Sequence, residues 1–464
     1  MLASGVTGVA ASLLLAGAPP AAASAAPSAV AYRSVQRQRQ APTDAATGSS
    51  AIAAITPVGA RITTLVVDVG VPLLACADLT RAVAVTVQGP DGTAPVPVAR
   101  ALTRDEPSPG EPAGGRYVLL ELAGPPEQLP QPYRLVRGNT EPMLFREHAA
   151  DGSIVTRPRV QATSTPVPLG EELVLTVELR TLVGADGAQV RERSRQVTGR
   201  SVREPELGQF DEGVLAGPQE GNTLAYRIRR PSRTSRPAPL VLFLHGSGQV
   251  GTDNLAHLLS SRGAVGALEH DDPYVLAPQL PSVFDPFDPY DEASGRGGGI
   301  HWQSANRRRL LAGLVRRVVE EETRVDRRRV YVVGLSRGAE GALGLVLDEP
   351  QLVAGAVLLS GREAGTVEWM SGRATPDLLR PATGTPLWFF HAVQDAVSPV
   401  EGTRVNVDLL RGLGHPSLRS TELGYEQRGD SGIVNDSAHN SWDLAFNSPD
   451  VWQWLLSQRR RTVR

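Results

Sequence analysis

The sequence predicts two unlike domains: an α/β sandwich on a mostly parallel sheet over residues 205–464, and an all-β domain before it over 56–204. Three observations carry this. A chain of 464 residues exceeds what one ordinary core fills. Its apolar fraction of 41% and charged fraction of 21% are those of a globular protein. Its apolar rhythm changes near residue 205, from short β-branched runs between Pro/Gly turns to strands alternating with helical stripes. The formal net charge of -2 argues against an overall electrostatic attraction to nucleic acid. All 47 basic residues are arginine.

The first residues, MLASGVTGVAASLLLAGAPPAAASAAP, have the layout of an export signal. An apolar stretch from Val6 to Ala18 is followed by small residues with A-x-A sites at Ala21–Ala23 and Ala23–Ala25, although no basic residue precedes the stretch. A signal over 1–25 and a secreted, extracellular protein are expected. Residues 26–55, rich in Ala, Ser, Gln and Thr without a sustained period, are expected to be a disordered linker. No later segment reaches 18 apolar residues, so no membrane span is expected. The single cysteine, Cys76, excludes an intramolecular disulfide, and its apolar neighbours in VPLLACADL suggest a buried, inert thiol.

Over 56–204, RITTLVVDV (61–69), RAVAVTVQ (81–88), GRYVLLELAG (115–124) and EELVLTVELRTL (171–182) read as strands. Turn-rich segments such as GPDGTAP and EPSPGEPAGG separate them, and no long helical stripe intervenes. Several short strands with such turns suggest a small immunoglobulin-like sandwich. No catalytic constellation is visible there. A structural or interaction module is the expectation, with self-association through it as one role.

After residue 205, LAYRIRR (224–230) and LVLFL (240–244) read as strands, followed by YVLAP (274–278), RVYVVG (329–334), AGAVLLS (354–360) and LWFFHA (387–392). The last four are short apolar runs of the kind buried on both faces of a parallel sheet. Between them, residues 306–325 carry a stripe of Leu310, Leu311, Leu314, Val315, Val318 and Val319, with Arg307–Arg309, Arg316 and Arg317 expected on a solvated face. Residues 338–349 and 448–458 are the remaining helices. Ser448 is placed to cap the last one, with Pro449 at its first position.

Ligands of open α/β sheets lie at the carboxyl ends of the strands, and the chemistry-bearing residues can be sought there. LVLFL ends in His245-Gly246-Ser247-Gly248, where glycines let a backbone N–H approach a substrate oxygen. RVYVVG ends in Leu335-Ser336-Arg337-Gly338, a G-x-S-x-G spacing. In a chain with 47 glycines that spacing alone means little. Between a strand and a helix, however, it forms an elbow that exposes the Ser336 hydroxyl at a helix N-terminus and offers the Arg337 N–H to an oxyanion.

A hydroxyl needs a base, and the base an orienting acceptor. Asp395 follows the strand LWFFHA, and His439 lies in a loop before the last helix. Of the eight histidines only His415 and His439 follow Asp395, and His415 sits in the turn-like GLGHPS. The order Ser336, Asp395, His439 is that of the α/β-hydrolases. Trp442 is expected to pack beneath the His439 loop. His301-Trp302, after the glycine run SGRGGG, is a candidate for an aromatic loop at the substrate pocket, with plain packing as the alternative. The glycine run lacks the GK[ST] ending of a phosphate loop, and neither HxxxH nor CxxC occurs, so no metal or cofactor is expected.

The segments HGSGQVGTDN, RGAVGAL, YVLAPQ, VYVVGLSRGAEGAL, PLWFFHAVQDAVSPVEGTRV and HNSWDLAFNSPDVWQWLLSQ resemble the secreted bacterial serine esterases of the EstA type. These are relatives of polyhydroxybutyrate depolymerases and are often labelled predicted peptidases. The resemblance covers most of 205–464. Over the first half it rests on RYVLLEL and on the layout, since that type carries an immunoglobulin-like domain before the hydrolase. It implies Ser336 as nucleophile, Asp395 as acid, His439 as base, and an oxyanion hole from the N–H groups of Ser247, Gly248 and Arg337. It also implies a small-molecule or polymeric ester as substrate. The sequence departs from the type at Arg337, where many relatives carry Met or another apolar residue and where a charge is expected at the pocket's edge, and in its polar, proline-rich stretch 279–300.

Overall fold

In a computed structural model of the chain, the structure describes residues 48–460 apart from 161, 233–235, 282–283, 292–297, 300, 368–373 and 425–436. The expected signal and most of the expected linker lie outside the described residues. The end of that linker is structured. Ser50–Thr56 is a strand that buries Ala51, Ala53 and Ile55 and pairs antiparallel with Gly59–Leu73. Its SAIAAIT alternates, but alanine is a weak strand former, so the pairing rather than local propensity makes this a strand.

Beside three two-stranded ribbons, Tyr133–Asn139 with Ala162–Pro168, Met143–His148 with Ile154–Arg159, and Leu182–Val183 with Gln189–Val190, the β module has two main sheets. One runs Val202–Arg203, Ser50–Thr56, Gly59–Leu73, Gly115–Leu122, Val98–Arg104; the other runs Arg193–Thr198, Val174–Leu179, Val83–Gly89, Gly92–Val96. All pairs are antiparallel except Val202–Arg203 with Ser50–Thr56. Strand periodicity of two sends Leu175, Val177 and Leu179 inward, where they join Leu65, Val67 and Leu120 of the other sheet in one core. Burying each such side chain stabilises the module by about 1.5–3 kcal/mol. Cys76, expected in this core, is instead half-buried. It follows Gly59–Leu73 in a loop, at a cavity of about 270 Å³ also lined by Leu74, Leu79, Leu182 and Val183.

The second half is built on eight strands, β1 (Phe210–Ala216), β2 (Thr223–Arg229), β3 (Ala238–Leu244), β4 (Tyr274–Gln279), β5 (Val325–Leu335), β6 (Gly355–Leu359), β7 (Leu387–Ala392) and β8 (Leu418–Leu423). Their spatial order is β1-β2-β4-β3-β5-β6-β7-β8. β2 is antiparallel to both neighbours, and the pairs from β4 to β8 are parallel.

Every residue of β3 is buried, because both faces of the sheet are covered. Leu240, Leu242 and Leu244 face a core with α1 (Ala305–Glu321), α2 (Arg337–Asp348) and α3 (Glu401–Gly412). Val241 and Phe243 face a core with α4 (Ser441–Ala445) and α5 (Pro449–Ser457). Ile55, Ala60 and Tyr133 of the β module join that second core. No helix among the described residues is long and apolar enough to cross a membrane.

The stripe expected on α1 is buried as read, and Ser304 caps the helix by accepting from the Arg307 N–H. The arginine face needs one correction. Arg316 and Arg317 are exposed, but Arg307 is buried beside Asp285 at 3.7 Å, and burial brings its guanidinium down to about 10. A carboxylate from a distant loop offsets the desolvation that makes buried arginines rare. Ser448 does occupy the cap position of α5, with Pro449 behind it, yet its hydroxyl makes no capping bond.

Candidate active site

The carboxyl ends of β3, β5 and β7 and the loop before α4 bring the site together. At the end of β5 the chain turns into α2 through Ser336, with φ 53° and ψ -123°. Such a conformation is costly for a residue with a side chain, and it persists only where the surroundings enforce it. Two glycines make room for the turn. A Cβ on Gly334 would lie 2.2 Å from the Gly338 carbonyl, and one on Gly338 would lie 2.0 Å from the Leu244 carbonyl. The Ser336 N–H donates to the Leu359 carbonyl at 2.8 Å, tying the elbow to β6.

Ser336 Oγ is 3.0 Å from His439 Nε2, and His439 Nδ1 is 2.7 Å from Asp395 Oδ2. The ring of His439 stands edge-on to Trp442, with centroids 5.1 Å apart, so Trp442 does pack against the loop as expected. Asp395 sits in the turn after β7, where its Oδ1 accepts from the N–H groups of Val397 at 2.8 Å and Ser398 at 2.9 Å. Burial alone would raise its carboxyl. Hydrogen bonds from His391, His439 and the Ser398 N–H outweigh it and hold the group well below the usual carboxylate range. The arrangement can pass the serine proton to an imidazole whose resulting charge faces a carboxylate.

The turn after β3 lies against the elbow. A Cβ on Gly246 would be 3.1 Å from the Ser336 Cβ. Ser247 and Gly248 open a 3-10 turn here, and Arg337 opens α2. The first N–H groups of a helix have no partner within it, so these three positions suit an oxyanion. Gln249 braces the turn by accepting from the Gly246 N–H at 2.9 Å. His245 braces it from below, its Nε2 accepting from the Leu280 N–H at 3.0 Å. Burial pushes that imidazole down to about 4.

Three expectations need revision. Trp302 is a core residue, not part of a pocket wall: it is 1% exposed, meets Gly341 on α2, and donates from Nε1 to the His245 carbonyl at 3.0 Å. His301 is likewise buried, and burial first, then Arg337 and Arg307, push its imidazole well down. Arg337 does not place a charge on the pocket rim. Its guanidinium is buried and pairs with Glu340 Oε2 at 2.8 Å, one helical turn along. The stretch 279–300 falls partly outside the described residues.

Sequence reasoning missed His391, which also contacts Asp395, and the hydroxyl pair of Ser360 and Ser441. His391 stood in plain view within LWFFHAVQD, but a histidine inside an apolar strand reads as packing.

The sheet order and the strand–elbow–helix turn are those of the α/β-hydrolase fold. Among solved structures, the chain overlaps a thermostable esterase with a TM-score of 0.67 and 21% identity, over 89% of this chain and 99% of that one. At this identity the likeness speaks for the fold. Two more partial overlaps carry no argument: a ferulic acid esterase of Anaeromyces mucronatus (TM-score 0.39, 12% identity, 53% of this chain and 91% of that one) and a fungal esterase of Rhizomucor miehei (0.35, 14%, 53% and 81%). No protein-family model matches the chain, and no curated protein matches it in sequence.

Proposed function

We propose that the protein is a secreted serine carboxylesterase of the EstA type. The observation that carries this is the continuous relay from Ser336 Oγ through His439 to Asp395, at 3.0 and 2.7 Å, on a serine held at positive φ. His439 Nε2 takes the Ser336 proton as Oγ attacks the ester carbonyl. The oxyanion is held by the N–H groups of Ser247, Gly248 and Arg337. The tetrahedral intermediate collapses, the C–O bond to the alcohol breaks, and His439 returns the proton to the leaving alkoxide. Water, deprotonated by His439, then attacks the acyl-enzyme, and Ser336 recovers its proton as the acid leaves.

The domain reading belongs to the same proposal: signal over 1–25, linker from 26, an immunoglobulin-like module to 204 and the hydrolase from 205. Two facing antiparallel sheets over one core support the module, and an 89% overlap with the thermostable esterase extends further than 205–464 alone. Self-association through the module is part of the proposal, supported by the exposed apolar Leu135, Val136 and Leu144 on its ribbons.

The test is hydrolysis of p-nitrophenyl acetate and butyrate by wild type and Ser336→Ala. Wild type is expected to turn over both esters and the variant to lose at least about a thousand-fold. Equal rates would sink the proposal. A peptidase, or a depolymerase of a polyester or cell-wall ester, would use the same relay. Cleavage of peptide amides without ester turnover in a substrate panel would favour that alternative.

A further inference from the structure

A second histidine faces the carboxylate that orients His439. His391 lies in β7, wholly buried. Its Nε2 is 3.1 Å from Asp395 Oδ2 and 2.6 Å from the Ser398 carbonyl. Both neighbours are acceptors, so Nε2 carries a proton and donates. Its Nδ1 lies 2.8 Å from Thr403 Oγ1 on α3, whereas that hydroxyl is 3.3 Å from the Gly361 carbonyl. The shorter contact gives the single hydroxyl proton to Nδ1, and the Nε2–H is shared between Asp395 Oδ2 and the Ser398 carbonyl.

We propose that His391 is a positioning residue for the catalytic relay, holding Asp395 through the same oxygen that receives His439. The inference rests on the serine-hydrolase reading above. Asp395 Oδ2 accepts from two imidazoles and Oδ1 from two backbone N–H groups, so the carboxylate has no freedom to rotate. The second donor also draws charge from Oδ2. His439 therefore meets a weaker acceptor, and its imidazolium is stabilised less than by an unshared carboxylate. Arg362 acts on Asp395 at longer range, and Glu422 of β8, paired with Arg404, acts on His391. Ser336 and Trp442 are the other groups facing His439. None of these changes in the variants below.

The test is the rate at which a fluorophosphonate probe labels Ser336 across pH, in wild type, His391→Gln and His391→Leu, with Tm measured alongside. In His391→Leu labelling should slow about ten- to a hundred-fold, as misplaced reacting groups do, and its acid limb should move to higher pH. His391→Gln keeps an N–H near the Nε2 position and should restore most of the rate and the wild-type limb. If His391→Leu does not fold, Thr403→Val, which removes the donor to Nδ1 along with its longer contact to the Gly361 carbonyl, should move the limb the same way by less. A fall in Tm with rate and acid limb as in wild type overturns the positioning role and leaves the relay standing. So does a Gln variant as slow as the Leu variant. A wild type that is not labelled at all overturns the serine-hydrolase reading, and this inference with it.

Discussion

The hydroxyl oxygens of Ser360 and Ser441 lie 2.7 Å apart, both wholly buried, one strand over from the elbow. Ser360 directly follows β6 with φ 51°, a second strained position beside Ser336. Ser441 opens α4, and its N–H donates to the His439 carbonyl at 3.0 Å. The pair thus anchors the loop that presents the imidazole. Ser360→Ala keeps the unfavourable φ and leaves Ser441 Oγ buried without this partner. It should cost about 1–3 kcal/mol of stability and lower kcat more than it raises KM. Ser360→Gly should cost less, since glycine relieves the backbone. Urea unfolding and steady-state kinetics of the two variants check both statements.

Gly338→Ala should be among the most damaging single-methyl changes in the chain. Its Cβ would sit 2.0 Å from the Leu244 carbonyl and 2.7 Å from that of His245, both backbone atoms that have nowhere to go. A loss of about 3 kcal/mol or more is expected, with loss of activity as the elbow shifts from the 246–248 turn. Gly412→Ala, at the end of α3 with nothing within 4 Å, is the control and should be neutral or slightly stabilising. Thermal melts of the two separate the clash from a generic effect of glycine replacement.

The ion pair of Arg337 and Glu340 has side chains only 4% and 8% exposed. Glu340→Ala leaves the guanidinium buried without this carboxylate and should cost about 3–5 kcal/mol. Replacing both residues by apolar ones, Arg337→Met with Glu340→Leu, removes the buried charge as well and should recover most of that loss. A double-mutant cycle read by urea unfolding tests it; additive losses would refute the pairing.

Stability should fall with acidification below neutrality. Burial pushes His245 down to about 4 and His257 to about 3, from an ordinary value of 6.5, and in His257 the His245 ring adds to the effect. Between 6.5 and those values the unfolded chain binds protons that the folded one refuses, so stability drops as pH falls through that window. The slope is up to about 1.4 kcal/mol per pH unit for each ring. The loss levels off only once the folded rings titrate. Unfolding free energies between pH 7 and 5 measure the slope, and His257→Leu should flatten it by one proton's worth.

The legible parts of this protein were local in the chain. The runs LVLFL, YVLAP and LWFFHA are continuous in apolar character because both faces of their sheet are covered, and each is a strand of the eight-stranded sheet. YVVGLSRGAEG declared its elbow because such a turn needs glycines at fixed offsets from the serine, and both proved sterically necessary. Ser50–Thr56 was missed because its strand character comes from its partners rather than from its own residues.

What the sequence determined by itself was the class of fold and the order of three chemistry-bearing residues, since strand burial and turn geometry are written in neighbouring positions. The tertiary structure alone decided which polar groups meet. Ser336 and His439 are 103 positions apart, and His439 and Asp395 are 44 apart. His391 joins Asp395, Arg307 meets Asp285, and Trp302 sinks beneath His245 instead of lining a pocket. In each case the side chain could be satisfied in several ways, and the fold selected one, by bringing a partner from elsewhere in the chain or, for His391 and Asp395 four residues apart, by the turn after β7.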